Sequence, residues 1–336
     1  MQDVTLLPGD GIGPEVIRAT QRVLDAVGAE IRWREFKVGQ PAIDECGEPL
    51  PPAVLADILE TGVALKGPIG TPIGEGFTSV NVALRKHFQL FANFRPVRNL
   101  PRVKTRFDNV DLIIFRENTE GLYRGIEHEV VPGVVESIKI ATEKACLRIS
   151  NFAFAYSRLH ARKTIHAIHK ANIMKLSDGL FLRCAREVSR EYPELVYKEA
   201  IVDNACMQLV MNPHQYDVLL LENLYGDIVS DLCAGLVGGL GLVAGANLGE
   251  KQAIFEAVHG TAPDIAGQGL ANPTAVLQAA EMLLHHIGQH DAAQRLKTAL
   301  LEVYETGEHL TRDVGGSGGT VEFTEAILRR VDAARP

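Results

Sequence analysis

Val218 to Leu221 is an apolar run that passes straight into LENLYGDIVSDLCAGLVGGLG, residues 221–241. The run reads as a buried strand and the following stretch as a helix, with Gly226 marking a turn where the chain enters it. This junction constrains the chain most, because Asp227 and Asp231 stand four residues apart and project from one face of a helix. Two carboxylates on one face repel each other unless a cation or a bound partner offsets the repulsion, so the pattern suits a divalent cation. The spacing equally fits an ordinary surface helix in which one Asp favours the helix dipole and the other faces water.

At 336 residues the chain can bury a sizeable core and reads as two domains rather than one. Its 34 Lys and Arg against 42 Asp and Glu leave a formal charge of -8, which argues against nucleic acid or an anionic membrane as partner. Cys46, Cys146, Cys184, Cys206 and Cys233 show no C-x-x-C pairing, as expected of reduced thiols in an intracellular protein. MQDVTLLPGDG lacks a basic region followed by a long apolar run, and no later stretch reaches transmembrane length without charge. A soluble, cytoplasmic protein with no membrane partner is the expectation.

From the start, Asp3 to Pro8 reads as a strand and Gly9-Asp10-Gly11-Ile12-Gly13-Pro14 as a glycine turn into a helix over 14–28. The turn fails as a dinucleotide fingerprint, since the third glycine of G-x-G-x-x-G would stand at Pro14, and no G-K-[ST] follows. It either brings backbone close to a ligand or makes a tight strand-to-helix connection. Residues 30–38 suggest a second strand, 51–61 a helix and 63–65 a short apolar strand running into GPIGTPIGEG. Such a loop after a strand in an α/β pattern lies at the carboxyl edge of the sheet, where ligands bind, or is a plain surface crossover.

Arginines follow at 85, 95, 98 and 116, the last directly after the apolar strand Val110 to Phe115. Guanidinium groups hold carboxylates through paired hydrogen bonds, so converging arginines suit a substrate with several carboxylates; alternatively Arg85 sits on a solvated helix and Arg98 in a surface loop. Tyr123 is a chemistry-bearing or simply a packed tyrosine. Residues 127–140 suggest paired strands and 141–150 a helix, with 153–156 mostly apolar. Lys170, on a short polar segment before a helix over 178–192, is solvated or placed for chemistry. A strand within 195–202 ends just before Asp203, which with Asp227 lies near a sheet edge. Carboxylate oxygens suit magnesium or manganese, and no histidine or cysteine is spaced for zinc. A strand at 254–258 leads into HGTAPDIAG, which could cradle adenosine unless Asp264 only caps a turn; helices follow at 274–288, 291–306 and from 321.

GDGIGPE at 9–15, SVNVALR at 79–85, FRENTEG at 115–121, HKANIMK at 169–175, NLYGDIVSDL at 223–232 and HGTAPDIAGQGLANPT at 259–274 together resemble the isocitrate and 3-isopropylmalate dehydrogenase family of decarboxylating β-hydroxyacid dehydrogenases, above all its NAD-dependent isocitrate branch. The resemblance covers nearly the whole chain. It implies an α/β fold without the usual dinucleotide-binding topology, in which two domains share a large mixed sheet. Residues 1–94 plus 247–336 would form the large cofactor-binding domain, and 95–246 the small substrate, metal and dimerisation domain. It also implies a homodimer in which Lys170 and Asp203 reach the other chain's site.

By the same resemblance, Asp203, Asp227 and Asp231 hold Mg²⁺ or Mn²⁺, and Tyr123, Lys170 and Asp203 are catalytic. Lys170 handles the hydroxyl proton and Tyr123 protonates the enolate carbon. Ser79, Asn81, Arg85, Arg95, Arg116, Tyr123, Lys170 and Asn172 bind isocitrate. Thr71, His259, Gly260, Ala262, Asp264, Ile265, Asn272 and Asp313 bind NAD, the acid at 264 favouring a ribose diol over a 2′-phosphate. Homoisocitrate and isopropylmalate are the alternative substrates, and a non-catalytic regulatory subunit is the alternative role.

Overall fold

The computed structural model describes residues 1–72 and 79–333, so the loop GPIGTPIGEG is described only as far as Pro72. The chain opens with β1 (Gln2–Leu7), α1 (Gly13–Ala26), β2 (Ile31–Glu35), α2 (Gln40–Cys46), α3 (Pro52–Thr61), β3 (Val63–Lys66) and α4 (Val80–His87). Its middle supplies β4 (Ala92–Arg98), β5 (Asp111–Glu117), the hairpin β6 (Glu127–Val131) and β7 (Val134–Ser137), then α5 (Glu143–Leu159), β8 (Thr164–His169), α6 (Ser177–Ser189), β9 (Val196–Ile201), α7 (Val202–Met211), β10 (Val218–Leu221) and α8 (Asn223–Leu236). It returns through β11 (Ala244–Leu248), β12 (Ala253–Ala257), α9 (Thr274–His286), α10 (His290–Thr306) and α11 (Thr320–Ala333).

Ten strands form one sheet in the order β2-β1-β3-β12-β11-β4-β5-β10-β8-β9. The wing β2-β1-β3-β12 is parallel, as is the wing β5-β10-β8-β9. Between them β11 and β4 pair antiparallel to each other and to their outer neighbours, so the two wings run in opposite directions. This mixed centre departs from the continuous parallel sheet of a dinucleotide-binding fold, in keeping with the failed glycine fingerprint.

Strands covered on both faces must be apolar throughout, and VALK in β3 and VLLL in β10 are buried at every residue. Residues of α1, α9, α5 and α6 pack on one face of the sheet. Helices α3 and α4 cover the other face of the first wing, and α7 and α8 that of the second. Helices α10 and α11 form an outer layer against α1 and α9. The helix expected over 141–150 runs on to Leu159. Ile149, Ala153 and Tyr156 continue one apolar face at helical spacing, and the Tyr156 ring lies 4.9 Å from that of Phe94.

The glycines of the first loop approach protein backbone rather than an open space. A Cβ at Gly9 would lie 2.1 Å from the Pro68 carbonyl oxygen, and one at Gly11 2.0 Å from that of Thr261. The Asp10 carboxylate accepts from the backbone N–H of Gln40 at 2.9 Å and of Gly70 at 2.7 Å. Glu15 in turn accepts from the N–H of Gly269 at 3.3 Å and of Ala271 at 3.2 Å. The loop is therefore a tight connection that pins the segments beginning at Gly67 and Thr261 to one end of the first wing.

Candidate active site

The register at the sheet centre brings the charged residues together. Lys66 pairs across to Glu256, Glu256 to Gly245, and Asn247 to Asn93, which pairs in turn with Arg116. Directly opposed residues share a face, as do residues two apart, so Lys66, Glu256, Asn247, Asn93, Arg95 and Arg116 all project from one side. Gly245 leaves room there, with Arg95 Cγ 3.8 Å from where its Cβ would be.

Arg116 lies within β5 rather than after it, and is 1 % exposed. Its Nε and Nη2 donate to Asn223 Oδ1 at 2.9 and 2.7 Å, and its Nη1 donates to Asp227. Burial, together with the charge of Arg85, pushes its pKa down to about 10. Arg95 donates to Ser230 Oγ at 2.6 Å and to Asp231 Oδ1 at 3.3 Å, with its Nη2 3.9 Å from Asp227. Arg85, expected on a solvated helix in one reading, is buried at the end of α4 and approaches Glu256 at 3.5 Å. Arg98 is exposed and pairs with Asp111, apart from this group.

Tyr123 donates its hydroxyl proton to Asp227, beneath the Arg116 guanidinium at 5.1 Å from the ring centroid. Burial raises the Tyr123 pKa and the Asp227 hydrogen bond adds to it, so the phenol keeps its proton. Burial also acts to raise Asp227, but Arg116, Tyr123 and Arg95 hold its carboxyl below the usual range. Asp231 goes the other way, raised by burial and by the charge of Asp227 against a partial offset from Arg95.

Gly226 does not mark a turn before the helix. It lies inside α8, buried, where a Cβ would stand 2.5 Å from Arg116 Cγ and 2.6 Å from its Cβ. The missing side chain lets Arg116 lie flat along the first turn of α8. In Gly226→Ala the helix gains about 1 kcal/mol of propensity, but overpacking a filled site costs about 1–3 kcal/mol. Displacement of Arg116 is expected to destabilise the protein and to raise the substrate KM at least tenfold, as checked by urea unfolding and steady-state kinetics.

Ser79 caps α4, its Oγ accepting from the Val82 N–H at 3.5 Å. Asn81 Oδ1 is buried with no partner among the described residues, beside a small cavity lined by Lys66, Arg85, Asn247 and Glu256 among others. A buried carbonyl left without a donor is the kind of group a ligand satisfies.

Lys170 and Asp203 form a separate group. Lys170 Nζ pairs with Asp203, which is 67 % exposed, and the Lys170 N–H donates to the fully buried Asp178 at 2.7 Å. Asp178 shares Lys139 with Glu222, whose pKa burial pushes up to about 7. Asn172 is exposed at the start of the following turn. Among the described residues no three metal-ligating side chains come together, so within one chain only Asp227 and Asp231 converge. Their oxygen donors and incompletely offset charge fit a hard cation as part of a shell.

On the cofactor side, Asn272 donates to Asp313 at 3.0 Å and accepts from the Thr274 N–H at 3.0 Å, so Asn272 and Asp313 stand together. His259 Nδ1 lies 2.9 Å from its neighbour's carbonyl, Gly260 O, while Nε2 is buried with no partner among the described residues; burial holds this imidazole below its ordinary pKa. Ala262 has φ of 39°, and Ile265 packs partly against the core. Asp264 is exposed, and its backbone carbonyl, not its carboxylate, accepts from Gln268 at 2.7 Å. It is therefore not a turn cap through its side chain. Thr71 is exposed. Sequence reasoning passes over Lys66, Asn93, Glu256, Asn247 and Ser230. A lone charge ending VALK or inside AIFEA is the available signal, since a charge in an otherwise apolar strand needs a buried partner.

Known proteins resemble the whole chain. The NAD isocitrate dehydrogenase catalytic subunit 5 of Arabidopsis thaliana, a mitochondrial protein, is 52 % identical over 324 residues, covering 96 % of this chain and 87 % of the relative. A regulatory subunit of the mitochondrial NAD isocitrate dehydrogenase of Dictyostelium discoideum is 49 % identical over 332 residues, covering 98 % and 92 %. A chloroplastic 3-isopropylmalate dehydrogenase of Solanum tuberosum is 51 % identical over 305 residues, covering 90 % and 85 %. The crystal structure of isocitrate dehydrogenase from Methylococcus capsulatus superposes with a TM-score of 0.96 at 48 % identity, covering 98 % of this chain and 99 % of that one. Two expectations are corrected by these relatives. The simple homodimer is not upheld, because the NAD isocitrate dehydrogenase relatives are distinct catalytic and regulatory subunits. The mitochondrial location of the NAD isocitrate dehydrogenase relatives overturns the cytoplasmic location expected from composition, which carries no information on compartment beyond the redox state of its thiols. With the isocitrate/isopropylmalate dehydrogenase family model matching residues 3–327, the chain belongs to that family.

Proposed function

We propose that the chain catalyses oxidative decarboxylation of isocitrate to 2-oxoglutarate and CO2 with NAD as the oxidant. The observation that carries this reading is the clustering of buried Arg95 and Arg116 around Asp227, Asp231 and Tyr123, with Arg85 close by. Arg85, Arg95 and Arg116 bind the substrate carboxylates. The Ser79 hydroxyl and the Asn81 Nδ2 amide donate to the distal carboxylate, and an isopropyl group offers these donors no acceptor. The C2 hydroxyl gives its proton to Lys170 as hydride leaves C2 for the nicotinamide. Loss of CO2 from the resulting β-keto acid leaves an enolate, which Tyr123 protonates at carbon. A bound Mg²⁺ or Mn²⁺ held by Asp227 and Asp231 would supply Lewis acidity for the developing oxygen charge. Lys170 and Asp203 lie apart from that pair in one chain, and we assign them to a site completed between neighbouring subunits.

The domain division at 94/95 and 246/247 is part of the same proposal; both cuts fall at the paired centre of the sheet, within β4 and β11. Every residue of β6 and β7 is exposed, including Val130, Val131, Val134 and Val135. A two-stranded hairpin is marginal alone in water, which supports its packing against another subunit. The test of function is kcat/KM for isocitrate, homoisocitrate and 3-isopropylmalate on the purified chain. Isocitrate is expected to lead by at least about tenfold, the worth of one or more methylenes or stranded polar groups; a lead by either competitor overturns the substrate. A second reading, a regulatory subunit, is favoured by the 49 % identity to one. Tyr123, Lys170, Asp203, Asp227 and Asp231 all standing in place supports the catalyst instead. Activity of the chain without any other subunit separates the two.

A further inference from the structure

We propose that Asn247 is a positioning residue that aims the substrate-binding Arg95 by linking it, through Asn93, to the buried anion Glu256, which Arg85 approaches directly. The inference rests on the reading of Arg85 and Arg95 as carboxylate binders. Asn247, 2 % exposed, lies in β11 between β12 and β4. Its Nδ2 donates to Glu256 Oε1 at 2.6 Å, and its Oδ1 accepts from Nδ2 of Asn93 and of Asn118, each at 2.9 Å. Asn93 Oδ1 in turn accepts from Arg95 Nε at 2.7 Å. Glu256 Oε1 also lies 3.5 Å from Arg85 Nη2, while Oε2 takes Lys66 at 2.8 Å, and Lys66 also donates to the Gly67 carbonyl at 2.8 Å.

The two ends of this chain of bonds determine its polarity. A carboxylate only accepts and a guanidinium only donates, so the two amides between them have a single consistent orientation. Turning Asn247 over would set its oxygen against Glu256 and its N–H groups against the Asn93 and Asn118 donors. Turning Asn93 over would face its N–H groups to Arg95. In a buried setting each such mismatch leaves polar groups unsatisfied, and a connected network transmits the cost. Arg95 is thereby held with Nη1 on Ser230 and Asp231, at 2.6 and 3.3 Å. One side-chain path thus runs from the Gly67 carbonyl, at the loop that carries Thr71, across the middle of the sheet to the acid pair of α8. None of Asn247, Asn93 or Glu256 takes part in the proposed reaction itself.

The test compares Asn247→Ala with Asn118→Ala. The first breaks the path to Arg95, whereas the second removes another donor to the same amide without touching an arginine. Asn247→Ala is expected to raise the isocitrate KM, and its calorimetric Kd, at least tenfold while the NAD KM stays within twofold; Asn118→Ala should leave the isocitrate KM within twofold. An unchanged isocitrate KM in Asn247→Ala, or equal rises for both substrates, overturns the proposal. Should Asn247→Ala not fold, Asn93→Asp replaces it. This keeps the acceptor for Arg95 but turns a carboxylate oxygen toward Asn247 Oδ1, and an isocitrate KM equal to wild type would again overturn the proposal. Arg95→Lys separates binding from positioning. If it leaves isocitrate binding unchanged, the carboxylate-binding reading itself fails; if it weakens binding while Asn247→Ala does not, only the positioning role fails.

Discussion

Exchanging Lys170 for methionine is expected to lower kcat by about 10²–10⁴-fold, the usual worth of a positioned general base, with little change in thermal unfolding. The side chain is partly exposed and its ionic partner Asp203 is 67 % exposed, so the pair contributes little to folding. What the fold invests in is the backbone beneath it. The fully buried Asp178, in the first turn of α6, accepts the Lys170 N–H at 2.7 Å, and the Lys139 ammonium lies between Asp178 and Glu222. That arrangement fixes where the lysine leaves the end of β8, while its partly exposed ammonium pairs with Asp203. The measurement is kcat alongside a melting curve. A loss of less than tenfold would remove Lys170 from the proton-transfer role, and a large fall in Tm would assign it to structure instead.

The elements legible from sequence are those whose pattern is locally determined. Val63 to Lys66 and Val218 to Leu221 are buried strands because a short apolar run between turn residues has few other uses. Asp227 and Asp231 do share one face of α8, as their spacing requires. The centre of the sheet is not legible. AGANL in β11 has small and polar residues with weak strand preference, and it is a strand because β12 and β4 flank it. Gly226 defeats a local reading for a related reason: glycine usually punctuates, and only the packing of Arg116 against α8 shows why one is needed inside a helix. Likewise the glycine loop at 9–14 admits a ligand or a protein backbone as its neighbour, and Pro68 and Thr261 decide for the latter. The network from Glu256 to Arg95 depends on strand register across three strands, which no local pattern encodes.

Opposing charges in the site also show why its residues are grouped as they are. Arg95 and Arg116 are buried, and burial lowers the pKa of both, so each is costly without acids nearby. Asp227 and Asp231 offset part of that cost, and the same arginines keep Asp227 ionised. On the proposed function, a substrate carboxylate would meet cations that are already aimed, the condition for binding an anion without large rearrangement.

Wild-type kcat/KM is expected to favour NAD over NADP by about 10²-fold, and Asp264 is the residue on which this rests. Two unit charges about 4 Å apart repel by roughly 4 kcal/mol at the effective dielectric of a protein surface. Asp264 is exposed, so salt and solvent reduce that figure, and about 2.7 kcal/mol, or a hundredfold, is a reasonable remainder. The carboxylate of Asp264 has no hydrogen bond or ion pair among the described residues, which leaves it available to accept from a ribose diol and to repel a 2′-phosphate. Eight residues along the chain from Asp264, Asn272 donates to Asp313 at 3.0 Å. Because a repulsive contact discriminates more sharply than an attractive one, Asp264→Lys with Ile265→Tyr is expected to move the NADP to NAD ratio of kcat/KM upward by at least about tenfold. The lysine reverses the charge, and the tyrosine adds a hydroxyl donor where a half-buried isoleucine now packs. Both ratios are read at saturating isocitrate and metal. A wild-type ratio near one, or a double variant that still rejects NADP as strongly as the parent, would take Asp264 out of cofactor selection.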